Sequence, residues 1–475
     1  MVQLKQKMKT RNILFALLIL VFGSCSISKD LITPKSGLPV NFREHITTDT
    51  NSVGALPVKE FFTTPAILNL IDSALLRNYD LQIAVKNIDA AALILRRAKL
   101  GNVPKLNLQV TANSNIPSEN SLNGLSASQF LNTNHIEDFN ANLGLTWEAD
   151  IWGKIGRQKD AAYASYLQSA EVKKAVQTRI VAAVAAGFYR LLMLDAQLNV
   201  AKRNVELNSN TLKMIQMQFD AGQTTSLAIQ QAEAQKLSAE QLVPQILQEI
   251  SIQENALSTL TGKFPSAIER SATLEQLIVP SQLATGVPAT LLNIRPDVRS
   301  VELDLKIANA KVGIANANLY PTLVISATGG LNSFKASNWF NIPASLFGVV
   351  GGGITQPILQ GRALKTQFEL AKIERDQTVL AFRQTVINAV AEVSNEQAKI
   401  LNLGNEYLIA QKRVNTLQLA VKNSDLLFKS GMANYLEVIS AQGNLLQGEL
   451  DLTSIKTAQL NASLSLYRAL GGGWK

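Results

Sequence analysis

A chain of 475 residues that is 47% hydrophobic and 17% charged has the composition of a folded protein, and its length exceeds that of one compact domain. Two histidines, His45 and His135, and one cysteine, Cys25, are too few for a zinc, haem or iron–sulfur site built from this chain, and no internal disulfide can form, so no cofactor is expected. The formal charge of +9 falls to +5 without Lys5, Lys7, Lys9 and Arg11 of a removable leader, and the other basic residues are interspersed with acidic ones along helical stretches, which argues against nucleic acid as a partner.

The basic start is followed by an apolar run from Ile13 to Phe22 and then Gly23-Ser24-Cys25. The run is too short to cross a bilayer as a helix; with its basic flank and small residues it reads as a secretory signal over 1–24. The small pair before a lone cysteine resembles the lipobox of bacterial lipoproteins, with Phe22 where that family prefers Leu. This resemblance implies cleavage before Cys25 and acylation there, palmitate included. An ordinary signal peptide with an incidental cysteine is the alternative. A lipid on Cys25 would be a secondary attachment if the rest of the chain also enters the membrane.

Aromatics are only 6%, and Ala, Leu, Val and Ile supply the apolar mass, as suits long packed helices. After residues 25–65 comes a helix over about 80–101. Two segments of alternating polarity follow: Leu106, Leu108, Val110 and Ala112 interleave with polar residues, as do Phe139, Ala141, Leu143, Leu145 and Trp147. A long proline-free stretch, 153–219, then carries Val184, Phe188, Leu191, Leu194, Leu198, Ala201, Val205, Asn208, Leu212, Ile215 and Phe219 at about 3.5 residues per step, the seven-residue period of helices that supercoil on neighbours. At 1.5 Å per residue such a helix is about 100 Å long. The turn Phe219-Asp220-Ala221-Gly222 reverses it into a return helix over 227–260, which Pro244 should kink near Glu240.

The chain matches itself at an offset of 209. Phe219-Asp220-Ala221-Gly222 falls on Phe428-Lys429-Ser430-Gly431, and Leu260-Thr261-Gly262 on Ala469-Leu470-Gly471, while Pro104 meets Pro321 at an offset of 217. The second copy therefore holds a helix over 296–318, strands over 323–331 and 347–355, a long helix over 361–428 and a return helix over 435–470. Its heptad positions run Val393, Gln397, Ile400, Leu403, Tyr407, Ala410, Val414, Leu417, Val421, Ser424 and Phe428. The expected organisation is a segment 25–65, a first repeat 66–262, a linker 263–294, a second repeat 295–471 and a tail 472–475.

Each strand has the length that crosses a bilayer when tilted, and the linkers between paired strands, about 116–138 and 333–346, suit extracellular loops. Four strands cannot close a membrane barrel, and an open edge in hydrocarbon costs several kcal/mol per unpaired backbone group, so other copies must complete it. Trp147 and Trp339 are placed either at the two membrane interfaces or in helix junctions.

Arg295-Pro296-Asp297-Val298-Arg299, then Ala308-Asn309-Ala310 and Asn318-Leu319-Tyr320-Pro321-Thr322-Leu323, resemble the signature of the outer-membrane efflux proteins, the TolC, OprM and NodT family. Asp150-Ile151-Trp152-Gly153-Lys154 and Gln356-Pro357-Ile358-Leu359-Gln360-Gly361-Arg362 resemble its two strand-to-helix junctions. The resemblance runs from about residue 60 to 472, and the lipobox and Arg-Pro-Asp motif are closer to the OprM and NodT branch. It implies an α+β membrane protein: a homotrimeric 12-stranded β-barrel, four strands per chain, continuous with an α-helical coiled-coil barrel in the periplasm. A belt of about 26–65, 263–294 and the last residues would surround the helices.

The same resemblance implies the exit duct of a tripartite efflux system, passing drugs or other small toxic compounds. Its partners would be outer-membrane lipid, a periplasmic adaptor (membrane fusion protein) and an inner-membrane pump of the resistance-nodulation-division (RND) class. Glu437 matches a ring of acidic residues in the lumen, and the tips around Phe219, Asp220, Gly222, Phe428, Lys429 and Gly431 are candidates for adaptor docking. Ala228, Ala433 and Ser440 stand where TolC-like members carry charged residues, which implies a hydrophobic or different polar closure. No nucleophile–base pair, phosphate loop or metal spacing points to an enzyme. A type I secretion-like duct for proteins and a lipid-anchored periplasmic coiled coil or adaptor are the alternatives; the coiled coil has no need of four duplicated strands.

Overall fold

The computed structural model describes residues 51–279 and 283–475, together with 39 and 41–43; the leader, Cys25 and His45 lie outside the described residues. The main elements in chain order, leaving out segments shorter than eight residues, are α1 (Pro65–Arg77), α2 (Tyr79–Lys99), β1 (Lys105–Asn115), α3 (Leu122–Phe130), β2 (Ile136–Ala149), α4 (Lys154–Asp220) and α5 (Ser226–Leu260). The second half holds α6 (Pro296–Ala317), β3 (Thr322–Ser333), β4 (Leu346–Thr355), α7 (Ala363–Lys429) and α8 (Tyr435–Ala469). The duplication is carried through to the helix ends: α4 and α7 each have 67 residues, α5 and α8 each have 35, and all four pairs of bounds differ by 209.

All four of these helices stop by one mechanism. Gly222, Gly262, Gly431 and Gly471 have φ between +66° and +89°, the left-handed conformation that costs glycine least. At each stop the residue after the glycine donates its N–H to a carbonyl five residues back, as in Gln223 to Gln218 at 2.8 Å and Met432 to Leu427 at 2.8 Å. The glycine itself donates three residues back, which completes a Schellman cap. α5 continues through Pro244 without a break in the helix.

Two elements depart from the expected order. α1 precedes α2 and is separated from it by Asn78, whose extended backbone ends the first helix. α3 lies inside what reads as a loop between β1 and β2.

The chain forms two compact units. One, built from 90–166 and 303–379, contains a four-stranded antiparallel sheet in the order β1-β2-β3-β4. The other, whose described residues fall within 51–89, 167–302 and 380–475, with 39 and 41–43, is a helical body. Its core joins Ile67, Ile71 and Ala74 of α1 to Val184 and Phe188 of α4, Val386 and Val393 of α7, and Leu464 and Tyr467 of α8. Burying each such large apolar side chain contributes about 1.5–3 kcal/mol. The linker is strapped to this body: Arg270 pairs with Asp195 at 2.7 Å and Glu254 at 2.8 Å, and Val53 N–H donates to Ala284 O at 2.7 Å. Of the heptad positions, only Phe219 is exposed.

Candidate functional site

The register of the sheet sorts its residues into two faces. Leu106, Leu108 and Val110 stand opposite Leu145, Leu143 and Ala141. Leu143, Leu145 and Trp147 stand opposite Gly329, Ala327 and Ile325, and Ile325 and Ala327 opposite Gly352 and Val350. Strand alternation therefore places apolar residues and glycines on one face from edge to edge, and Asn107, Gln109, Asn140, Asn142, Ser326 and Thr328 on the other. Gly330 sits where a Cβ would run into the Ala141 carbonyl of β2, so this position needs glycine.

β1 and β4 are the two edges, and nearly every residue on them is exposed; Val350 is 82% accessible and Leu108 71%. An apolar face left largely uncovered and bounded by two unpaired edges is unstable in water and suited to lipid once the edges are paired. Phe139 and Trp147 lie on this face eight residues apart, about 27 Å along the strand. Trp339 packs on Phe139, with ring centroids 5.4 Å apart, and Trp147 donates its indole N–H to Asn102 O at 2.9 Å. The two tryptophans thus sit toward opposite ends of the sheet.

The junctions follow from their motifs. Both Asp150 oxygens accept first-turn donors of α4, Ile155 N–H and Gly156 N–H, each at 2.9 Å. Trp152 donates to Pro321 O at 2.6 Å and lies 5.0 Å from the Tyr320 ring, so the Asp-Ile-Trp-Gly motif meets the Leu-Tyr-Pro motif of the other copy. In the second junction Gly361 and Arg362 both have positive φ, and Ile358 and Leu359 are almost fully exposed.

Arg295 is a buried clamp. It binds Asp297 through Nε at 3.0 Å and Nη2 at 2.6 Å, and Nη1 reaches both Glu392 and the Ala469 carbonyl at 2.9 Å. That carbonyl belongs to the last residue of α8, where helix geometry leaves acceptors unfilled. Burial opposes the Arg295 charge, but the hydrogen bonds and charge of Asp297 and Glu392 outweigh it and hold the guanidinium above its ordinary range. Burial pushes the Asp297 carboxyl up, and Arg295 outweighs that, leaving it below its ordinary value. In the first copy the equivalent task falls to Asn78, whose Nδ2 donates to Leu260 O at 3.0 Å.

At the hairpin tips the predicted residues divide. Phe428 is buried with Ile215, Ala228, Ala232 and Val438, whereas Phe219 is 39% exposed. Asp220 accepts from Gln216 at 3.1 Å, Lys429 pairs with Asp425 at 2.7 Å, and Gly222 and Gly431 face open space. Glu437 is exposed in the first turn of α8, a favourable place for a carboxylate. Ala228 is fully buried. Sequence reasoning missed Tyr435, which donates to Gln231 at 2.7 Å. It also missed a buried polar chain from Asn208 to Asn204, Asn204 to the Gln442 carbonyl, and Gln442 to Thr211. The polar Asn208 at a heptad position was the signal for that chain.

One face of α7 is left uncovered by the described residues. Ile373, Leu380, Ile387, Leu401 and Leu408, each more than half exposed, follow a seven-residue spacing interrupted only at Ser394. Such a seam requires another helix.

The family model described as "Outer membrane efflux protein" matches residues 70–263 and 287–472. The chain belongs to the outer membrane efflux protein family. The solvent efflux pump outer membrane protein SrpC of Pseudomonas putida is 28% identical over 469 residues, 97% of each chain. The probable outer membrane lipoprotein SilC of Salmonella typhimurium is 24% identical, covering 98% of this chain and 99% of its own. The crystal structure of CusC, 25% identical, superposes with a TM-score of 0.82 over 94% of this chain and all of that one. The fold class is that of this family: an α+β membrane protein of two tandem repeats, giving four strands to a homotrimeric 12-stranded β-barrel and long helices to a coiled-coil barrel. This efflux protein is an outer-membrane channel, and its relatives are efflux and channel proteins rather than enzymes.

Proposed function

We propose that three copies of this outer membrane efflux protein make a passive exit duct for small toxic compounds, fed by a periplasmic adaptor and an inner-membrane RND-type pump. The observation that carries the duct is the two-faced sheet with unpaired β1 and β4 edges. Pairing each β1 with a neighbour's β4 turns the apolar face to lipid and the Asn, Gln, Ser and Thr face to a wet lumen. The exposed seam on α7 supports the same assembly in the helices. Relatives named for solvent and cation efflux favour small cargo over protein. The duct contributes shape, and the pump supplies the energy.

The tips around Phe219, Asp220, Gly222, Phe428, Lys429 and Gly431 are the proposed adaptor surface, with Glu437 lining the lumen. The helices meet there through an apolar cluster and the Tyr435–Gln231 bond. Acylation of Cys25 adds a second membrane attachment, as the lipoprotein name of SilC supports.

Native mass spectrometry of detergent-extracted protein tests the assembly. Three copies beginning at a lipid-modified Cys25 are expected; a monomer would remove the barrel. Deleting the gene in a host without a redundant duct should sensitise it to some toxic compounds, and unchanged susceptibility across a broad panel would count against efflux.

A further inference from the structure

Two loops at one end of the sheet carry apolar surface that their own chain leaves open. The first, 116–135, joins β1 to β2 and contains α3. It is an ordered unit: Ser121 Oγ accepts from Gly124 N–H at 3.1 Å and donates to Ser118 O at 2.6 Å, and Gly124 and Ala127 are buried. Its outer side presents Leu122 at 80% exposure, Phe130 at 82%, and Leu125. The second, 334–345, joins β3 to β4. Trp339 is laid on Phe139 of β2, while Phe340 and Ile342 remain exposed. Charge is sparse and complementary: Glu119 is the only charged residue in 116–134, and Lys335 the only one in 334–345. Both are exposed. Exposed apolar surface of this kind marks a contact site.

Strand order says which chain covers it. β1 ends at Asn115 and β4 begins at Leu346. When the barrel closes by antiparallel pairing of β1 with a neighbour's β4, the end of one lies beside the start of the other. The first loop of each protomer then emerges next to the second loop of its neighbour, in continuation of the barrel seam.

We propose that the first loop of one protomer docks on the second loop of the next, α3 presenting Leu122, Leu125 and Phe130 to Phe340 and Ile342, with Glu119 facing Lys335. Three equivalent contacts form a collar on the barrel rim. The collar rests on the trimeric reading above.

The test uses the full chain in native membranes with paired cysteines, Leu125→Cys with Phe340→Cys and Phe130→Cys with Ile342→Cys, each against its single variants, under mild oxidation. Covalent dimers and trimers on a denaturing gel are expected from a double variant and not from the singles. Adding Glu119→Lys should reduce the cross-linked fraction, and adding Lys335→Glu to that variant should restore it. Native mass spectrometry of the same preparations separates the two failures. A trimer in which neither pair links chains, or in which the link forms within one chain, overturns the collar and leaves the duct standing; a monomer overturns both.

Discussion

The two copies share helix lengths and the glycine caps that end their helices, but their side chains fasten opposite ends. The first is fixed where its strand enters α4: Asp150 caps the helix, Trp152 reaches Pro321, and Lys154 pairs with Glu148 at 2.9 Å. Its tip is plain, with Thr225 making no side-chain cap and Phe219 exposed. The second copy is held more lightly at its strand junction, where Gln356 donates to Leu319 O at 3.2 Å, and is fixed at its tip, where Asn434 caps α8, Phe428 is buried and Tyr435 bonds to Gln231. Duplication supplied equal rods, and the side chains at their ends then diverged, so that side chains of the first copy hold the strand junction and side chains of the second hold the two tips together.

The largest break in this comparison comes from the clamps that close α5 and α8. Arg295→Ala removes the partner of Asp297, Glu392 and a helix-end carbonyl; because the two carboxylates are nearly half exposed, it should cost about 2–3 kcal/mol, against about 1–2 kcal/mol for Asn78→Ala, read as thermal unfolding of the detergent-solubilised protein. The same clamp is acid-sensitive. Asp297 is held below its ordinary 3.8, so its stabilisation is complete above that pH and is lost as pH falls through the depressed native value. Arg295→Met should abolish that acid-side loss in a melting-against-pH series.

The tips come next. Phe428→Ala removes a buried ring and should cost about 3 kcal/mol, while Phe219→Ala should stay below about 1 kcal/mol; hydrogen exchange in the turn residues would report the difference. Equal effects would mean that the tips are not distinguished. At the strand junctions, Asp150→Ala should lose about 1 kcal/mol with the cap. Arg362→Gly should do the reverse, gaining up to about 1 kcal/mol by relieving a left-handed arginine; both are small shifts of the thermal midpoint.

The rods were legible because a heptad repeated in two blocks fixes period, length and register together, and an offset read from Phe-x-x-Gly turns carried through to the helix ends. Strands were legible from alternation. What escaped was what depends on neighbours in space. α3 has no charged residue and a glycine and two serines among its nine residues, so it reads as loop until Ser121 caps it. The site residues escaped for the same reason. Phe219 and Phe428 are the same letter in the same turn, and only packing makes one exposed and the other buried. Arg295 was visible as a motif residue, but its acceptor lies 174 positions away at Ala469.

The matched lengths of the rods carry a further consequence for how this chain can change. Removing one residue from α4 rotates everything beyond it by about 100° and would turn the tip away from α7 and α8. Insertions and deletions in the rods are therefore tolerable only in whole heptads and only in all four long helices at once. SrpC shares 28% identity with this chain and yet aligns over 97% of both.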